Sequence, residues 1–177
     1  MTTVQLTIFG TATSGRRQIT PEWNNEATKH WTLEQARTHV ANHADDGVNC
    51  PCCGQRAQVY RRTLNAGMAR ALVLMWRQVR DASEPTQEPI DIRTIDVRGG
   101  DYGKLAYWGL IKPSDDTAGI WRITHSGVLF VTSSISVPRA VYVYGGRVLN
   151  EIDFEMTTIR QALSEKFDLI ELLNGGR

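Results

Sequence analysis

The stretch YGKLAYWGLIK, residues 102–112, followed after a polar loop by GIWRITHSG, residues 119–127, decides how the chain is read. Asp101, after Gly99 and Gly100, stands where a cap is needed for a helix over residues 102–108, and Gly109 can close that helix in the left-handed conformation that other residues avoid. Leu110 and Ile111 open a strand, residues 113–119 form a polar loop, and residues 120–123 return as the partner strand. Thr124 then caps a helix over residues 125–131. Leu105, Trp108, Leu110, Trp121 and Ile123 supply a common core. If these elements build one domain around it, Tyr102, Lys104 and Tyr107, opposite the Leu105 and Trp108 core face, point away from it.

Upstream, Leu64, Met68, Leu72, Met75 and Val79 recur at the helical period and predict the strongest helix of the chain, residues 64–80. Pro85 and Pro89 make residues 81–90 an extended connection, and a short turn or helix is expected over residues 91–97. Thr32 and Gln35 form a capping-box pattern for a thinly apolar surface helix reaching residue 45. Val4, Leu6 and Ile8 alternate as one short strand. Near the carboxy terminus, Gly145–Gly146 joins strands 140–144 and 147–149 as a two-residue hairpin turn. A single last helix, residues 158–173, is expected from the Thr158/Gln161 start and the stripe Ile159, Leu163, Phe167, Ile170.

With 177 residues, 41% hydrophobic and 22% charged, the chain fits one ordinary domain and falls outside collagen-like, wholly disordered and membrane-embedded classes. No apolar run approaches the ~20 residues that span a bilayer, so the expected address is cytoplasmic, with no membrane partner. The net charge of +1 is unevenly laid: residues 56–80 hold Arg56, Arg61, Arg62, Arg70, Arg77 and Arg80 and no acid. An all-arginine block suits phosphate, because the guanidinium fork pairs two oxygens at once; it equally suits the solvated face of a helix.

The segment from Tyr102 to Gly127 resembles the second half of a winged helix-turn-helix domain of bacterial transcription regulators, in which a recognition helix precedes a two-stranded wing. More narrowly, CPCCGQRAQVYRRTLNAGMARALVLMWR, DYGKLAYWGLI and VPRAVYVYGGRVL are similar to uncharacterised helix-turn-helix proteins of bacteriophages and prophages, over about residues 45–173. The resemblance implies an α+β fold: an N-terminal extension with a cysteine knuckle over residues 1–55, a winged-helix domain over 56–135, and a hairpin plus helix over 136–177 packed on the same core. It implies a non-enzymatic DNA-binding regulator acting in a bacterial host's cytoplasm on double-stranded DNA. Tyr102, Lys104 and Tyr107 would enter the major groove, with Arg98, Arg61, Arg62 and Arg70 near phosphates. Asp115 and Asp116, at the tip of the wing, would repel phosphate. The alternative is a winged helix that engages a host protein complex, and the last helix is free on this reading to pair with its copy in a homodimer.

Cys50-Pro-Cys-Cys53-Gly54 has the form of a zinc knuckle, two thiolates at C-x2-C spacing. His39 and His43, one helical turn apart, complete a Cys2His2 set for one structural zinc, with Cys52 as a spare thiolate. Cys-Pro-x-Cys also resembles the glutaredoxin motif, but that chemistry needs a strand before it and a helix after it, and the preceding residues read as helical. No nucleophile triad, phosphate loop or carboxylate pair is readable.

Overall fold

The computed structural model describes residues 28–176 except 98, 115, 116 and 153, and not the side chains of residues 150–152. The strand expected around Val4 to Ile8 lies outside the described residues. In chain order the elements are α1 (Leu33–His43), β1 (Val48–Asn49), β2 (Arg56–Ala57), β3 (Tyr60–Thr63), α2 (Ala66–Val79) and β4 (Ile90–Asp91). A 3₁₀ turn (Ile92–Thr94) and a 3₁₀-helix (Asp101–Trp108) follow. Next come β5 (Ile111–Pro113), β6 (Ile120–Ile123), α3 (His125–Val131), β7 (Val137–Pro138), β8 (Ala140–Tyr144) and β9 (Arg147–Ile152). The chain closes with β10 (Met156–Thr157), α4 (Ile159–Leu163), a 3₁₀ turn (Ser164–Lys166) and α5 (Leu169–Leu173). The architecture is mixed α+β.

Helix α2 is the centre. Asn65 caps it by accepting from the Met68 amide at 3.0 Å, and Met68, Ala69, Leu72, Val73, Met75 and Val79 enter one core with residues of every later helix. On one side of it β4, β6 and β5 form an antiparallel sheet in that spatial order, with Ile111 opposite Ile123 and Ile90 opposite Trp121. A second sheet, β3–β8–β9, pairs Tyr60 with Val143 and Thr63 with Ala140. Gly145 and Gly146, at φ +56° and +78°, make the expected hairpin turn between β8 and β9. Thr32, Thr124 and Thr158 cap α1, α3 and α4 as their sequence positions predict.

Two expectations are corrected. The segment 101–108 is a 3₁₀-helix, and Asp101 is its first residue, making no side-chain cap. Three residues per turn eclipse i and i+3. Tyr102, Leu105 and Trp108 therefore share one row and all reach the core, where the α-helical period would spread them over about a third of the circumference. Tyr102 is thus half-buried, with its ring edge-on to Trp121 at 5.8 Å, and does not point away as expected. Trp108 is fixed by its indole N–H, which donates to the Pro138 carbonyl at 2.7 Å. Gly109 closes the helix at φ +65°, as predicted.

The last helix is two helices. Ser164 takes φ +55°, and Asp168 starts a new helix by accepting from the Glu171 amide at 2.7 Å. A capping carboxylate inside a helical pattern offers the backbone a second start. Leu163, Leu169 and Leu172 are buried in the α2 core, while Ile170, counted in the expected stripe, is 56% exposed. The helix pair therefore completes the core of its own chain. Among the described residues no helix is long and apolar enough to cross a membrane.

Gly127 is required by close approach: an added Cβ would run into the Leu110 carbonyl and the Ile123 side chain. Gly127→Ala is expected to cost about 2–3 kcal/mol, and Trp108→Phe about 1 kcal/mol through its lost hydrogen bond, both read as shifts in the denaturant midpoint at unchanged slope.

Candidate functional site

The second row of the 3₁₀-helix is Asp101, Lys104 and Tyr107. Lys104 Nζ meets Asp101 Oδ1 at 2.5 Å, a pair within the row that is partly open to solvent. Tyr107, half-buried, opens onto a cleft of about 520 Å³ between the β1–β2 hairpin, β3 and the β8–β9 turn. Arg56, Arg62, Tyr60, Tyr107 and Tyr144 line it with Gln55 and Gln58, and no carboxylate is among the lining residues. The Arg62 guanidinium lies 4.7 Å from the centre of the Tyr60 ring, within cation–π range. Arg62 Nε is buried with no hydrogen-bond partner. Arg62 lines a cleft without carboxylates, so its guanidinium can pair an acceptor from a ligand there.

Arg70, Arg77 and Arg80 of the basic block hold the fold. Arg70 donates to the Asp96 carbonyl at 2.5 Å and to its carboxylate at 3.0 Å, with its guanidinium 5.6 Å from the Phe167 ring centre. Arg77 and Arg80 donate to the Leu172 and Leu173 carbonyls at 2.9 and 2.8 Å, closing the carboxy terminus of α5. Arg56 reaches the Asp46 carbonyl at 3.4 Å, packed over Gly47. Arg61, on β3, bonds Thr63 Oγ1 at 3.3 Å. Arg98, like the wing-tip Asp115 and Asp116, lies outside the described residues. Of the seven expected nucleic-acid contacts, Arg62 and Tyr107 share the cleft, Lys104 lies one 3₁₀ turn before Tyr107 and pairs with Asp101, and Arg70 and Tyr102 are engaged in packing.

The cysteines sit on the turn of the β1–β2 hairpin, where the Cys50 amide donates to the Gln55 carbonyl and the Gly54 amide to the Cys50 carbonyl, both at 2.8 Å. Gly54 makes this turn at φ +71°. The amides of Cys52 and then Cys53 hold the Cys50 thiol below its ordinary pKa, with smaller contributions from their thiols. Cys52 moves upward, through lost hydration first and then the charge of Cys50. The expected ligand set is not assembled: among the described residues no three His, Cys, Asp or Glu side chains are grouped to hold a metal. His39 and His43 instead stack on each other at 4.5 Å, His39 meets Trp31 edge-on, and the His43 Nδ1–H donates to the His39 carbonyl at 2.7 Å. All three thiols are free.

Tyr60 and Tyr144 are lining residues that sequence reasoning passed over, and Arg56 was counted in the basic block without being singled out as a contact. Alternation around the strand YRRT and the position of Tyr144 beside the Gly145–Gly146 turn were the available signals. Scans against protein-family models, curated proteins and solved structures found no match for this chain.

Arg70→Ala is expected to lower stability by about 2 kcal/mol in chemical denaturation, since it removes charged hydrogen bonds from a side chain that is 13% exposed. Arg62→Ala is expected to leave the midpoint within about 1 kcal/mol of the parent, because its Nε is already unsatisfied.

Proposed function

We propose that the chain is a DNA-binding regulatory protein of winged-helix type, acting on double-stranded DNA in the cytoplasm of a phage-bearing bacterial host and catalysing no reaction. The observation that carries this reading is that Tyr107, one 3₁₀ turn after Lys104, lines a cleft with Arg56, Arg62, Tyr60 and Tyr144 and no carboxylate among its lining residues. Arginine pairs phosphate oxygens, and tyrosine hydroxyls and faces meet backbone or bases. The order α2, β4, 3₁₀ turn, 3₁₀-helix, β5, β6, with β6 between β4 and β5, supports the winged-helix assignment. Lys104 is then the base or phosphate contact, and Asp101 yields it when a phosphate takes its place. Arg62 extends the contact into the cleft.

Fluorescence anisotropy with a labelled duplex tests this. Affinity should fall steeply and log-linearly with salt. Arg62→Ala should reduce the salt slope by about one and Lys104→Ala should weaken binding or relax sequence preference, while Lys166→Ala, away from the cleft, leaves both unchanged. A salt-independent or absent signal at moderate ionic strength sinks the proposal. A second reading, a module that engages a host protein complex, is favoured by an apolar groove of about 620 Å³ lined by Leu33, Ala36, Val40, Val59 and Leu149. It predicts that Leu33→Glu, in the groove and not in the cleft, abolishes partner capture and leaves duplex binding untouched.

A further inference from the structure

In a double helix each base has its faces covered by its neighbours, and the grooves offer only base edges and backbone. An aromatic side chain meets the face of a base only where that base has left the stack. The cleft beside the 3₁₀-helix is furnished for such a face. Tyr60 comes to it from the start of β3, Tyr107 from the 3₁₀-helix and Tyr144 from the end of β8. None of the three is buried: Tyr107 and Tyr144 are half-buried, and Tyr60 is 42% exposed. The Arg62 guanidinium lies over the Tyr60 ring at 4.7 Å from its centre. Bases stack on guanidinium planes as they do on aromatic rings. Gln55 and Gln58 add amides, which present a donor and an acceptor together to a base edge. Arg56 and Arg62 supply forks for a phosphate, with no carboxylate among the lining residues to compete. At about 520 Å³ the cleft is in the size class of small-ligand sites, about 300–1,000 Å³, which suits one nucleotide and not a duplex.

We propose that this cleft takes one unpaired nucleotide of a DNA strand, its base stacked against the tyrosines and its phosphate held by the arginines. The inference rests on the reading of the chain as a DNA-binding protein and names the form of DNA that the cleft selects. Tyr107 belongs both to the segment that carries Lys104 and to the cleft, so a duplex held at that segment can pass an unpaired end into the cleft. The preferred ligand is then a duplex that carries an unpaired nucleotide, not a fully paired one.

The test is fluorescence anisotropy on the full chain with duplexes of one sequence: blunt, with a short single-stranded DNA overhang, with an abasic overhang of the same length, and with an RNA overhang. The DNA overhang should raise affinity about tenfold over the blunt duplex, the scale of one stacked base, and the abasic overhang should not. Tyr60→Leu and Tyr107→Leu each bring the ratio of overhang to blunt affinity toward one. Tyr60→Phe and Tyr107→Phe keep the ratio, because the ring and not the hydroxyl stacks, and Lys166→Ala keeps it as well. Because a leucine variant can misfold, a single 2-aminopurine between abasic sites in the overhang gives an independent readout on the unaltered chain: its fluorescence should be quenched on binding. A ratio of one in the parent, a gain retained by the abasic overhang, a gain lost on the phenylalanine changes, a gain confined to RNA, or a bound 2-aminopurine left unquenched overturns the proposal. Equal, salt-dependent binding of blunt and overhang duplexes overturns it while the duplex reading stands. Base-dependent binding of the overhang with none of the blunt duplex upholds it while the duplex reading fails, and no binding of any DNA removes both.

Discussion

The structure depends on the burial of α2. A helix with one apolar stripe needs one partner layer, but Ala69, Ala71, Leu72, Val73, Leu74 and Met75 are all buried, so α2 is covered nearly all round. The 3₁₀-helix, α3, α4, α5 and strands β4 and β6 each pack on it. At ~1.5–3 kcal/mol for each large apolar side chain taken from water, this is the dominant favourable term in the fold. It also explains the arginines. A helix enclosed this far leaves its polar side chains little solvent-facing surface, so Arg70, Arg77 and Arg80 turn to the carbonyls and the carboxylate of the elements that cover it. The positive block of the sequence is in large part the means by which a buried helix satisfies its neighbours' backbone.

That is why charge was a poor guide to the site while periodicity was a good guide to the core. Leu64, Met68, Leu72, Met75 and Val79 repeat at the spacing that the core uses, and Thr32, Thr124 and Thr158 cap where capping chemistry puts them. Gly145–Gly146 admits positive φ at both turn positions, so the hairpin is written locally. Strands β1, β2 and β4 are two residues long and carry no readable alternation; they exist because a neighbour supplies the other half of the ladder. The break before α5 was legible in Asp168, a capping residue embedded in an apolar pattern that drew attention away from it.

The candidate site was partly legible for a related reason. Lys104 and Tyr107 follow from their place in the segment, whichever helix it forms, since i and i+3 are neighbours in both windings. Tyr102 does not. Its expected outward orientation was at odds with its i+3 neighbour Leu105, which lies on its side in either winding, and the 3₁₀ winding places it fully in line with Leu105 and Trp108. The cleft itself could not be read, because Tyr60, Arg62, Tyr107 and Tyr144 come together only through the pairing of β3 with β8 and the approach of the 3₁₀-helix.

The winding also bears on how such a surface would discriminate. In the row Asp101–Lys104–Tyr107 the lysine already has a carboxylate partner, and the pair is exposed enough to be screened by solvent and salt. An exposed pair of this kind is worth about 1 kcal/mol or less, so exchanging Asp101 for a phosphate is inexpensive, but the released carboxylate then repels a polyanion nearby. The favourable part of binding must lie in the cleft, where Arg56 and Arg62 are lining residues and no lining side chain is acidic. On the proposed reading the helix row sets register, and the cleft contributes the affinity. A nucleic acid that meets only the row would be held weakly, which is a physical basis for preferring a partner shaped to enter both.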